Sequence, residues 1–96
     1  MKQFTNAEQT AKLIGLGLLK PKSEVKAEQA GGCTWYNPAY SIGELIEMLP
    51  KSGGTIEYEY GEWLVDWRLH DFQAVGSELI DALYEMIVEL RRRGQL

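Results

Sequence analysis

Hydrophobic positions in this chain switch from helical to alternating spacing and back, and the switches mark out its elements. Leu79, Leu83, Met86 and Leu90 recur at three- and four-residue intervals, with Ile80 and Ile87 widening the stripe. That is one face of an amphipathic helix packed on a core. Ser77 is placed to cap its start, Arg91, Arg92 and Arg93 suit the negative end of its dipole, and Gly94 suits the residue after it. Ile42, Leu45, Ile46 and Leu49 give a second, shorter stripe. Ser41 and Glu44 form its capping box, Tyr40 and Leu45 its hydrophobic staple, and Pro50 its stop. A third helix begins at Thr5, with Glu8 completing a box. It carries a narrow stripe of Ala7, Ala11, Ile14 and Leu18, and Lys20-Pro21 ends it.

Residues 55–69 alternate instead. Gly61-Glu62 suits a two-residue type II′ turn, which needs positive φ at its first central position. Closing the chain there sets Tyr60 opposite Trp63, Tyr58 opposite Val65 and Ile56 opposite Trp67, all on one face. Glu59/Leu64, Glu57/Asp66 and Thr55/Arg68 fall on the other. Residues 20–32 show no period and read as a surface loop. Residues 33–36 have strand-like composition and could add a short strand beside the hairpin, and 70–76 read as a connection.

A lone hairpin is unstable in water, so its aromatic face needs cover. The expected fold is a small α+β domain spanning 1–96, in the order α-α-β-β-α. Its helices pack on one face of a two- or three-stranded antiparallel sheet, and aromatic burial supplies much of the core.

Composition narrows the function classes. A formal net charge of −4 argues against direct nucleic-acid binding, which wants a basic surface. The longest apolar or glycine run, Leu13 to Leu19, falls far short of a membrane span, and the first residues lack the apolar centre of a secretory signal. With a single cysteine there is no internal disulfide. Together these lead to the expectation of a cytoplasmic protein.

Tyr40 to Pro50, Glu78 to Leu90 and Met1 to Ile14 resemble a group of small uncharacterised proteins of gut Bacteroides-type bacteria and their phages or mobile elements. The resemblance implies a cytoplasmic origin and a mobile-element context. It implies no activity.

Candidate chemistry is sparse. Cys33 and His70 are the one thiol and the one imidazole, enough for a nucleophile and a base if they meet, and bystanders otherwise. No P-loop, CxxC, HExxH or GxSxG motif occurs, and no catalytic residue is assigned. Glu57, Glu59 and Asp66 share the polar face of the hairpin. A divalent cation would relieve the opposition of Glu57 and Asp66, but Arg68 lies diagonally across and water screens the rest, so a solvated face is the simpler reading. Neither metal nor cofactor is expected. Trp35 and Tyr36 stand beside Asn37-Pro38, either as contact residues or as a lid on the core. The binding candidates are therefore Trp35, Tyr36, Glu57, Glu59 and Asp66. The leading expectation is a non-enzymatic protein-interaction or accessory protein with an unidentified protein partner. An acidic mimic of nucleic acid and a small ligand-binding protein or hydrolase remain as alternatives, and a homodimer is compatible with any of these.

Overall fold

A computed structural model describes residues 2–28, 34–69 and 71–96, with backbone alone over 26–28 and 34–36. The order is α1 (Ala7–Gly15), β1 (Ser23–Glu28), β2 (Thr34–Ala39), α2 (Ile42–Met48), β3 (Gly54–Glu59), β4 (Glu62–Trp67), β5 (Ala74–Gly76) and α3 (Leu79–Arg92). The described residues form an α+β fold with three helices and two antiparallel sheets, one ordered β1-β2 and the other β3-β4-β5.

The expected order of elements is corrected in three places. The stretch read as a loop contains β1, paired with β2 from Ser23↔Ala39 to Glu28↔Thr34. The strand expected beside the hairpin is β2, and it belongs to this separate sheet. The connection at 70–76 contains β5, in which Ala74 pairs with Val65 and Gly76 with Trp63.

α3 is the hub. It packs on α2, β4 and β5, and every residue of its expected stripe is buried, Ile80, Leu83, Met86, Ile87 and Leu90 completely. Its end is a Schellman motif. Gln95 N–H reaches Leu90 O at 2.8 Å, Gly94 N–H reaches Arg91 O at 3.1 Å, and Gly94 has φ 75°. The start differs from expectation: Glu78, not Ser77, occupies the N-cap and makes no side-chain cap bond. Its carboxylate accepts instead from Lys2 N–H at 2.9 Å.

α2 has the expected Ser41/Glu44 capping box. Tyr40 and Leu45 are fully buried and Leu49 is nearly so, but Ile46 is 40% exposed, so the stripe is narrower than its spacing suggests.

α1 is capped by Asn6 with Gln9, one residue later than expected. Thr5 is otherwise engaged: its N–H bonds Tyr40 O at 3.0 Å, and its hydroxyl accepts from Tyr40 N–H at 2.9 Å. α1 buries Thr10 and Leu13 rather than its alanines. A buried threonine is tolerated because its hydroxyl donates to Asn6 O and meets the Thr5 hydroxyl at 2.7 Å.

Two carboxylates tie these pieces together. Glu44 accepts from Lys22 N–H, Ser41 N–H and the Ser23 hydroxyl. Asp81 accepts from Gln9 Nε2 at 2.8 Å and Lys2 Nζ at 3.0 Å. Partial burial pushes both pKa values up, but the hydrogen bonds (and the Lys2 charge at Asp81) outweigh it and hold both below the ordinary carboxylate value. A pKa depressed on folding adds stability above the unfolded-state pKa, near 4, and that stability is lost as pH falls through the folded value. The melting temperature is therefore expected to stay level from neutral pH to about 5 and to fall below about 4. Asp81→Asn should blunt that fall. A melting temperature unchanged down to about pH 2 would contradict it.

Candidate interaction surface

The β3-β4 hairpin keeps the face sorting read from its alternation and changes its register. Its turn is Tyr60-Gly61, with φ 52° and 77°. This is the two-residue geometry in which both central residues are left-handed. The pairs are Glu59↔Glu62, Tyr58↔Trp63, Glu57↔Leu64, Ile56↔Val65, Thr55↔Asp66 and Gly54↔Trp67. Each β3 residue thus meets the β4 residue two places earlier than expected, and a two-residue slip leaves every strand side chain on its own face, while Tyr60 moves from the strand into the turn.

A left-handed tyrosine costs about 1–2 kcal/mol. What offsets it lies across the strands. Gly54 leaves room for the Trp67 indole; a Cβ there would sit 2.0 Å from Trp67 Cδ2. Trp67 Nε1–H donates to Pro50 O at 3.0 Å. The Tyr58 and Trp63 rings meet with centroids 4.8 Å apart, tilted by 55°. Glu57 faces Leu64 rather than Asp66, so the like-charge opposition moves to Glu59 and Glu62 beside the turn. Arg68, at φ 59°, does not pair with Thr55; it donates to Ser52 O and Ser52 Oγ.

The inner face is not uniformly buried. Val65 is sealed, and Ile56, Trp63 and Trp67 are half-buried against the core. Tyr58 is 60% exposed and Tyr60 96% exposed. The expectation that all these rings turn inward is corrected here. α3 packs on β4 and β5, so the outer strand and the turn extend past their cover. Tyr40 is the one fully buried aromatic among the described residues, and α3 alone supplies half of the buried core cluster.

The outer face holds the acidic candidates. Glu57, Glu59 and Asp66 are exposed there, joined by Glu62, around Leu64 and Val75. Among the described residues none of the four enters an ion pair, and no group of three or more His, Cys, Asp or Glu is placed to hold a metal. Residues 54–68 contain these four acids and one base, Arg68, so three of the four net negative charges sit on this hairpin.

The other candidates lie elsewhere. Trp35 and Tyr36 are in β2, with backbones opposite Ala27 and Lys26, and their side chains lie outside the described residues. Cys33 and His70 also lie outside them. The arginine tip is structural. Arg91 donates to Leu16 O and Leu96 O, Arg92 pairs with Glu89, and Arg93 pairs with Glu89 and Asp71.

No family model, curated protein or solved structure matches the chain.

Hollows also open among the described residues. A groove of about 350 Å³ runs between α1 and the two-stranded sheet, lined by Ala7, Ala11, Ile14, Val25 and Pro38 among others. The Thr5 and Thr10 hydroxyls that also line it already have partners. A second, also about 350 Å³, opens beside Trp67 between Ile46, Leu49, Pro50 and Lys51. Among the described residues no helix is long and apolar enough to cross a membrane.

Proposed function

We propose that this is a non-enzymatic interaction protein that meets a protein partner through the open end of the β3-β4 hairpin. The observation that carries the reading is the exposure of Tyr58 and Tyr60 at the open end of the three-stranded sheet, with Tyr58 backed by the Trp63 ring. Tyrosine and tryptophan dominate binding hot spots because they bury much area for little conformational entropy. A mobile-element setting belongs to the same proposal and rests on the resemblance of residues 1–14, 40–50 and 78–90 alone.

The test is site-specific photo-crosslinking in the native host. A crosslinker replacing Tyr60 is expected to capture a defined protein, and one replacing Glu85, exposed on α3, is not. Equal capture at both positions, or none at Tyr60, would argue against the hairpin as the contact surface.

The outer face favours a second reading, that of an acidic surface imitating a nucleic-acid backbone. Glu57, Glu59, Glu62 and Asp66 support it, but apolar Leu64 and Val75 break their field, and four charges are few for such a role.

A further inference from the structure

The β3 edge has a definite chemistry. In an antiparallel pair, residues alternate between exchanging hydrogen bonds with the partner strand and turning their polar groups away. The Arg68 N–H to Gly53 O bond, at 3.0 Å, fixes the phase. Gly53, Thr55, Glu57 and Glu59 bond toward β4. Gly54, Ile56 and Tyr58 therefore point their N–H and C=O groups outward, each offering one donor and one acceptor. β3 lies at one edge of its sheet. Natural edges are usually blunted by charged side chains, lysine above all, by proline or by a bulge; on β3 the charges are Glu57 and Glu59, which deter a like-charged strand and leave a basic one free to add. β3 has no lysine or proline, and its register with β4 runs without a bulge from Gly54 to Glu59.

Both faces beside this edge are differentiated. On the inner side stand Ile56 and the exposed Tyr58, and at the Gly54 end the Trp67 ring borders the hollow containing the exposed Ile46. On the outer side stand Glu57 and Glu59. A strand laid along β3 would place alternate side chains on these two faces.

We propose that the free edge of β3 takes up an extended segment of the partner as a fourth strand, and that this segment alternates basic and apolar residues. The proposal rests on the function proposed above and names the chemistry of the partner. Backbone hydrogen bonds to Gly54, Ile56 and Tyr58 supply the common part of the affinity, and the alternation supplies the selectivity. Apolar side chains lie against Tyr58, Ile56 and the Trp67 hollow, while lysine or arginine side chains face Glu57 and Glu59. A second copy of this chain fits less well, because its β3 would bring the same two carboxylates to the same outer face.

The probe is a short capped peptide of alternating lysine and valine, titrated into the full chain and followed by amide NMR. The control is a peptide of the same composition with all lysines first. The alternating peptide is expected to bind saturably, to protect the Ile56 and Tyr58 amides from exchange, and to bind about tenfold more tightly than the control. The charge-reversed pair Glu57→Lys and Glu59→Lys, both exposed and in no ion pair among the described residues, should lose about tenfold in affinity while folding normally. Tyr58→Pro removes an N–H that points away from β4 and should also abolish binding. Absence of saturable binding at millimolar peptide, equal affinity for the control, or undiminished binding by the charge-reversed protein would overturn the proposal. So would a homodimer that Tyr58→Pro dissolves, since β3 would then be occupied by its own copy. If crosslinking at Tyr60 succeeds and the peptide fails, strand addition falls and the contact surface stands.

Discussion

Gly54→Ala is expected to destabilise the protein by about 2 kcal/mol, in the range for overpacking a filled site. The sign is the informative part. Alanine in place of glycine within a strand normally stabilises, by roughly 0.5–1 kcal/mol. Here the new methyl would stand 2.0 Å from Trp67 Cδ2 and 2.1 Å from Cε3. The indole would have to leave the strand and give up its hydrogen bond to Pro50 O. Chemical denaturation measures the loss, and tryptophan emission should shift to the red as Trp67 enters water. Unchanged or increased stability would mean that Trp67 does not lie over Gly54.

The largest loss is expected from Leu83→Ala. Leu83 is fully buried on α3, the helix that packs on α2, β4 and β5. Removing its branched end leaves a cavity that three elements would have to collapse to fill, which costs about 3 kcal/mol. For a chain of this length that is a large share of a total of roughly 5–15 kcal/mol. The melting temperature should fall by roughly 12–24 °C. Val75→Ala, on the exposed outer face, serves as control and should stay within about 0.5 kcal/mol. A Leu83→Ala loss no larger than that of the control would displace α3 from the centre of the core.

Some of this architecture is local and some is not. α3 and α2 were readable because four or more apolar residues recur at helical spacing and because caps are matters of neighbouring residues. The hairpin and its two faces were readable from alternation alone. Its register was not, because Gly61 suits either central position of a two-residue turn, and the choice falls to Gly54, seven residues away, which alone admits the Trp67 ring. β1 was hidden by composition. Glu24, Lys26 and Glu28 are poor strand formers, and the segment is extended because β2 pairs with it.

The candidate surface divides the same way. Glu57, Glu59 and Asp66 were found by alternation, and Glu62 could have been found by the same rule. Tyr58 and Tyr60 were missed as surface residues, since period two assigns a face but not the reach of the helix that covers it. α3 stops covering the sheet short of β3, a fact of tertiary packing with no local mark in the chain.

Amide hydrogen exchange along β3 tests the central arrangement most directly, because the register and the free edge dictate opposite protection for neighbouring residues. The Thr55, Glu57 and Glu59 amides should be protected, and the Ile56 and Tyr58 amides should exchange as exposed groups. Protection of Ile56 and Tyr58 with rapid exchange at Glu57 would contradict it, placing the turn at Gly61-Glu62 and directing the groups assigned to the free edge into the ladder with β4.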